Sequence, residues 1–295
     1  MCYPQNNRLY FNRWCDEGVR FFLESSASVP GSTLHLVVTP AKVLGSNDAA
    51  ALFVPSTESV NKIYIAIEEI LSWLTIERYS YQMQLSRLDL CRNVGLQDQR
   101  YIDAYIRLLK KGSSATGWKV QSYPEGDERN AHSFRRISRY YQVTVYDKLY
   151  QIKREGYHTD YDGTRRILRV EVSILRPGIQ EELSRCKANI DNRWPYQLLE
   201  LAANGVSTMR RVLRRLVSDM PYYTLSAIRE YLGTTDISNA KRKNLLDKKR
   251  IKEKFENGKK RLKQLKKLGI NPVTIEARAG IPYLPSLEQL IAAGL

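Results

Sequence analysis

Three short segments set acids, bases and hydroxyls at alternate positions with aliphatic residues between them. They are Ser86-Arg87-Leu88-Asp89-Leu90, Gln142-Val143-Thr144-Val145-Tyr146-Asp147-Lys148 and Leu168-Arg169-Val170-Glu171-Val172-Ser173-Ile174. A β-strand repeats every two residues, so alternate side chains share a face. One face then gathers Arg87, Asp89, Thr144, Tyr146, Lys148, Arg169, Glu171 and Ser173. The other gathers Leu88, Leu90, Val143, Val145, Leu168, Val170, Val172 and Ile174, and must be buried. Two carboxylates, a tyrosine and three cations on one sheet face can hold a metal and handle a phosphate. The competing reading is a solvated outer face with cross-strand ion pairs. Acid, base and hydroxyl at the midpoints of all three strands weigh against it.

The flanking segments supply the elements that must position these strands. Residues 8–24 alternate weakly and read as short strands. Leu34-His35-Leu36-Val37-Val38-Thr39 is a clearer strand, ended by Pro40. His35 on it is a structural residue or a metal ligand. Apolar residues at Val60, Ile63, Ile67, Ile70, Leu71 and Leu74 give residues 59–76 a helical stripe. A strand over 85–92 follows. Asp98 then starts a helix to Lys111, with Ile102, Tyr105, Ile106 and Leu109 on one face and Gly112 past its end. Residues 112–139 read as a polar connection that turns basic at Arg135, Arg136 and Arg139. Strands over 140–152 and 166–175 come next, and Pro177-Gly178 closes the unit. This order predicts an α+β fold: one antiparallel sheet with helices on one face, its polar face open.

From 179 onward the pattern is helical. Met209, Val212, Leu213, Leu216 and Val217 form a stripe, with Arg210, Arg211, Arg214 and Arg215 opposite. Residues 224–246 have the spacing of a loose helix-turn-helix. Fourteen Lys/Arg face three acids between Lys241 and Lys267, so this run holds most of the excess charge. The apolar positions Leu245, Leu246, Ile251, Phe255, Leu262 and Leu265 inside it favour a basic surface on folded helices. The expected division is thus an α+β domain over 1–178 and an all-helical, basic domain over 179–295.

Charge bounds the partner. The chain's 295 residues carry 47 Lys+Arg against 31 Asp+Glu, a net +16 that points first to nucleic acid and second to an acidic membrane surface. No apolar run is long enough for a spanning helix, and residues 1–9 lack a secretion signal core. Cys2, Cys15, Cys91 and Cys186 are scattered without metal-ligand spacing and read as free thiols.

Four blocks in order resemble a known family. They are Thr39-Pro40-Ala41-Lys42-Val43-Leu44-Gly45, Ser86-Arg87-Leu88-Asp89, Val145-Tyr146-Asp147-Lys148 and Leu168-Arg169-Val170-Glu171. Over roughly residues 34–175 this set resembles the gene II type replication initiators of filamentous phages, with plasmid relatives. The C-terminal half matches only near Leu265-Lys266-Lys267-Leu268-Gly269-Ile270, and no His-hydrophobic-His motif is present. The resemblance implies a rolling-circle initiator that nicks one strand of a double-stranded origin and stays on the 5′ phosphate. Tyr146 matches the family nucleophile, and Tyr150 and Tyr141 are the alternatives. It also implies a bacterial cytoplasm and work beside a host helicase and polymerase.

A phenol with a pKa near 10 needs a metal-polarised phosphate, a base or cations to attack at neutral pH. Asp89 and Glu171 supply hard oxygen ligands for Mg²⁺ or Mn²⁺, with His35 completing the set if its strand lies beside theirs. Lys148, about 7 Å from Tyr146 along a strand, serves phosphate charge or the phenolate. Arg87, Arg169, Arg135 and Arg136, with Lys241, Arg242, Lys248, Lys249 and Arg250, are the expected contacts to duplex and single-stranded DNA. Two other readings remain. One is a non-enzymatic origin-binding replication or regulatory protein resting on the basic half. The other is an RNA-binding sheet stacking bases on Tyr140, Tyr141 and Tyr146. That second reading expects aromatics, not Asp89 and Glu171, at strand centres.

Overall fold

The computed structural model describes residues 2–5, 8–11, 14–25, 32–76, 80, 82–112, 115–186, 193–217, 219–234, 263–265 and 267–293. The strands are β1 (Cys2–Gln5), β2 (Arg8–Phe11), β3 (Val19–Ser25), β4 (Ser32–Val38), β5 (Arg87–Leu96), β6 (Lys119–Val120), β7 (Ser133–Ile137), β8 (Tyr141–Asp147), β9 (Arg166–Leu175), β10 (Tyr222–Tyr223) and β11 (Tyr283–Leu284). The helices are α1 (Pro40–Val43), α2 (Thr57–Trp73), α3 (Gln99–Lys111), α4 (Lys148–Glu155), α5 (Arg176–Arg185), α6 (Trp194–Ala203), α7 (Gly205–Leu216), α8 (Leu225–Thr234) and α9 (Leu287–Ala293). The fold is mixed α and β, and its sheets are antiparallel. No helix among the described residues is long and apolar enough to cross a membrane.

The chain divides into two compact units, and both are discontinuous in sequence. The first comprises Met1–Ser86, Ile152–Asp162 and Leu183–Ala203. The second comprises Arg87–Gln151, Gly163–Glu182 and Asn204–Leu295. The division expected at residue 178 is therefore not the structural one. The chain leaves and re-enters each unit, and residues after 203 join the unit that holds β5, β8 and β9.

In the first unit β1 to β4 form a meander. Val19, Phe21 and Ile70 are its buried cluster, joined by Phe11, Leu34 and Leu36. Ile70 comes from the apolar stripe of α2, whose first turn is fixed by a reciprocal cap: Ser56 Oγ accepts from Ser59 N, and Ser59 Oγ accepts from Ser56 N.

In the second unit the strand order is β5-β9-β8-β7-β6. Leu168, Val170, Val172 and Ile174 of β9 and Val143 and Val145 of β8 are fully buried on one face. Helix α3 packs across that face, burying Ile102, Tyr105, Ile106 and Leu109. Its N-cap is Asp98, whose carboxylate accepts from Arg100 N at 2.8 Å. Helices α5 and α7 reach the same face. A Cβ on Gly178 of α5 would meet Tyr140 O at 2.5 Å and Ile174 Cγ2 at 3.1 Å, so only glycine allows that approach. Gly205 opens α7 beside Leu90 of β5.

Three local expectations are corrected. The strand expected over 140–152 stops at Asp147, because Asp147 Oδ1 accepts from Tyr150 N at 3.0 Å and caps a helix that begins at Lys148. The basic connection over 112–139 contains β6 and β7, so Arg135 and Arg136 are strand residues. Pro177 and Gly178 lie in the first turn of α5, where proline's missing N–H costs no helical bond.

The C-terminal segment is not all-helical, since β10 pairs with β11. Three of the four arginines opposite the α7 stripe are internal ties. Arg210 Nε and Arg214 Nη2 reach Glu288 Oε1 of α9 at 2.6 and 2.7 Å. Arg211 pairs with buried Glu182 of α5, which also accepts from the hydroxyls of Tyr141 and Thr208. Tyr105 Oη of α3 donates to Pro285 O at 2.9 Å. Helix α8 buries Ile228 and Leu232 against Leu265 and Ile270. The second helix of the expected helix-turn-helix lies outside the described residues, as do Lys241, Arg242, Lys248, Lys249 and Arg250.

Candidate active site

Backbone register decides which side chains meet. Between β8 and β9 the cross-strand pairs are Tyr146 with Arg169, Thr144 with Glu171, and Gln142 with Ser173. Between β9 and β5 they are Arg169 with Asn93, Glu171 with Cys91, and Ser173 with Asp89. On the other side of β8, Ser133 and Arg135 of β7 face Tyr146 and Thr144. Directly opposed residues share a sheet face. Arg87, Asp89, Thr144, Tyr146, Arg169, Glu171 and Ser173 therefore lie together, as their alternation predicts.

Hydrogen bonds knit this face. The Tyr146 phenol lies within electrostatic reach of both the Arg169 guanidinium and the Glu171 carboxylate. Arg169 Nε also donates to Asn93 Oδ1 at 2.8 Å. Arg87 grips Asp89 through Nε at 2.7 Å and Nη2 at 3.1 Å, and donates to Ser173 Oγ at 2.9 Å. The face is not the open plane that the sequence suggests. Ser173, Gln142, Arg169 and Thr144 are buried, while Arg87 and Asp89 are its exposed end.

Burial sets the protonation behaviour. Burial, then the Glu171 charge, pushes the Tyr146 phenol above its ordinary range, and Arg169 opposes both. Burial, then the nearby Asp89 charge, raises the Glu171 carboxyl, against Arg169, Tyr146 and Arg87. The Cys91 thiol, opposite Glu171, is pushed up to about 12 by burial and by the Glu171 charge. It stays protonated at neutral pH. A carboxylate of raised affinity for protons, one row from a phenol on the same face, is a base placed to take the phenol's proton.

Other expected members stand elsewhere. Lys148 is the first residue of α4, not a strand neighbour of Tyr146. It is buried, and its Nζ donates to Gln151 Oε1 at 2.9 Å. Its charge still acts on Cys91, which keeps it near the polar face. His35 belongs to β4 of the first unit, where its strand pairs with β3 and not with β5, β8 or β9. There it stacks on Phe22 with centroids 4.7 Å apart, and Nε2 lies 3.1 Å from Glu24 Oε2. Tyr150 is on α4, stacked on His132 with its hydroxyl on Glu128. Tyr141 points to the aliphatic face and donates to Glu182. Of the three tyrosines, Tyr146 shares the face with Asp89 and Glu171. Arg135 lies on this polar face as well, opposite Thr144, whereas Arg136 lies on the aliphatic face opposite Val143.

Asn93, Cys91 and Ser133 complete the face and escaped the sequence reading. A signal existed for two of them, since Arg87, Asp89, Cys91 and Asn93 continue one period-two series. Ser133 sits in a segment read as a connection.

As a cation site the face offers two carboxylates and the hydroxyls of Ser173 and Thr144. Repulsion of Glu171 by Asp89 is what a bound divalent cation relieves. Among the described residues no group of three or more His, Cys, Asp or Glu converges on one point, so such a cation would rest on Asp89 and Glu171 with water and phosphate oxygens. Comparison of the chain with protein-family models, with curated proteins and with solved structures returns no match.

Proposed function

We propose that this chain nicks and rejoins one strand of DNA through Tyr146, as an initiator of rolling-circle replication of the phage gene II type. One observation carries the reading: the register sets Tyr146 directly opposite Arg169 and one row from Glu171, on a sheet face that also presents Asp89, and the charges of Arg169 and Glu171 act on the phenol. The ordered sequence blocks around Asp89, Tyr146 and Glu171 point the same way.

In this mechanism the Tyr146 oxygen attacks the phosphorus of a phosphodiester. The phenolic proton passes to Glu171, and the Arg169 guanidinium holds the oxygen's developing negative charge. A bond forms between the tyrosine oxygen and phosphorus, the bond from phosphorus to the 3′ oxygen breaks, and that oxygen leaves as a hydroxyl with a proton from Glu171 or water. The phosphoester is retained as 5′-phosphotyrosine, so attack by a 3′-hydroxyl reseals the strand. Asp89 and Glu171 are the residues that would hold Mg²⁺ or Mn²⁺, which when bound neutralises phosphate charge. Arg87 holds Asp89 in place until then. The basic run from Lys241 to Lys267 supplies sequence-independent affinity for duplex and single-stranded DNA. A host helicase and polymerase in a bacterial cytoplasm are the partners that such a nick requires.

The test is incubation with a 3′-end-labelled single-stranded oligonucleotide pool and Mg²⁺, followed by denaturing electrophoresis. A labelled band at the protein's position is expected, absent from Tyr146→Phe. A Tyr146→Phe protein that forms the band at the wild-type rate removes Tyr146 from the mechanism. If the wild type forms no band yet binds origin duplex tightly, the chain is a non-enzymatic origin binder.

A further inference from the structure

A second feature of the same unit is not absorbed by this chemistry. Strand β6 is two residues long and pairs with Arg136 and Ile137, and Gln121 N donates to Arg135 O at 3.2 Å, so the Ser133–Phe134 end of β7 lies beyond that pairing at the sheet edge. A cleft of about 460 Å³ lies there, lined among others by Lys110, Gln121, Tyr123, Ser133, Arg135 and Arg136. Its volume is that of a small-molecule site.

The polar groups on its wall are incompletely matched. Arg136 is 6% exposed and has no ion pair among the described residues; its guanidinium lies 5.5 Å from the Phe134 ring centroid. Arg135 Nε is buried without a hydrogen-bond partner, and its guanidinium sits 5.0 Å from the Tyr123 centroid. Gln121 Oε1 is also buried and unpartnered. The acid on the wall, Glu125, is exposed to solvent. A guanidinium buried without a counter-charge is unfavourable, and an anion entering the cleft relieves it. Arginine's planar fork suits a phosphate. An unpartnered amide oxygen suits an N–H on a base edge.

The cleft also has a defined place relative to the chemistry. Ser133 lines it and is the direct cross-strand partner of Tyr146. Directly opposed Cα atoms lie about 4.5–5.5 Å apart, whereas successive phosphates of an extended single strand lie farther apart than that. A strand that crosses from β8 toward β7 with one phosphate at Tyr146 puts its neighbour at this edge.

We propose that the cleft takes one nucleotide of single-stranded DNA adjacent to the phosphate attacked by Tyr146. Arg135, on the face of Tyr146, binds its phosphate, Arg136 adds positive charge to the same cleft from the other side of β7, and Gln121 meets its base. This rests on the nicking reading for the identity of the strand, but its test does not need catalysis.

The experiment uses the full chain carrying Tyr146→Phe, so no adduct forms, and a fluorescent tetranucleotide of mixed sequence at elevated salt. Arg136→Met, Arg135→Gln and Gln121→Leu are compared by anisotropy, each first checked by thermal melting. A weakening of about tenfold for each arginine variant is expected, the scale of a lost charged hydrogen bond. Competition by 5′-deoxynucleoside monophosphates should exceed that by inorganic phosphate. Affinities unchanged within about twofold in Arg135→Gln and Gln121→Leu overturn the site, even if Arg136→Met fails to fold. Equal competition by phosphate and nucleotides overturns the base-holding role. A nucleotide-binding cleft in a chain that forms no covalent adduct upholds this site and sinks the nicking reading alone.

Discussion

Tyr146 and Arg169 stand directly opposite one another on β8 and β9, and the guanidinium charge favours the ionised phenol. Arg169 is itself fixed from the far side by Asn93 on β5. Three adjacent strands therefore align one phenol against a cation, with Glu171 one row away. The register alone secures this, because a slip of one residue would send Tyr146 to the aliphatic face.

Tyr146→Phe should abolish the covalent adduct while leaving oligonucleotide affinity within about twofold, since only the attacking oxygen is lost. Adduct yield on denaturing gels and anisotropy titrations check the two halves. Arg169→Ala, which keeps the nucleophile, should lower the cleavage rate on the order of a hundredfold, the scale of one preorganised donor at a developing anion.

In the metal-free protein the Glu171 carboxyl should titrate above the usual carboxylate range, because burial and the Asp89 charge disfavour its ionised form. Asp89→Asn removes the like charge and should move that titration to lower pH. A spectroscopic pH titration of the carboxyl in chelator reads it, and a midpoint that stays put contradicts the coupling.

Glu171→Gln should raise the melting temperature at neutral pH while lowering cleavage. The sign follows from linkage. The folded carboxyl binds its proton more tightly than the unfolded one, so stability present below the unfolded pKa is lost as pH rises toward the raised folded value. A neutral amide avoids that loss. The gain should shrink as pH falls through the raised folded value and vanish below the unfolded carboxyl pKa, which melting curves across the acid range can follow.

Asp89→Ala and Glu171→Ala should each shift the Mg²⁺ or Mn²⁺ titration of cleavage to higher concentration, because affinity for these ions follows ligand charge. Full activity in excess chelator would remove the metal from the mechanism.

Glu182→Ala should destabilise the second unit by about 3 kcal/mol, the scale of stranding one partner of a buried pair. Arg211, Thr208 and Tyr141 all lose their acceptor. Duplex affinity is better probed by neutralising lysines in 241–260 than by deleting the C-terminal segment, because Ile270, Ile275, Leu287 and Ile291 are buried. That neutralisation should flatten the dependence of log K on log salt, as fewer counterions are released.

The sequence by itself determined the strands that carry Asp89, Tyr146 and Glu171, and the face each side chain takes. Alternation is local, and a period of two leaves no freedom once one face is aliphatic. The α3 stripe from Ile102 to Leu109 and the Asp98 cap were legible for the same reason. Where β8 ended was not, because Asp147 can continue a strand or cap a helix, and its bond to Tyr150 N decides. That choice moved Lys148 and Tyr150 off the strand. Tertiary structure alone decided which strands are neighbours. It paired Arg169 with Asn93 and Tyr146, put His35 in another sheet, and built the cleft at β6 and β7. It also folded residues after 203 back to the unit of β5, β8 and β9, so Arg210, Arg211 and Arg214 hold helices together. Pairing between distant segments depends on the summed burial of whole faces, and no local pattern in a single segment encodes its partner.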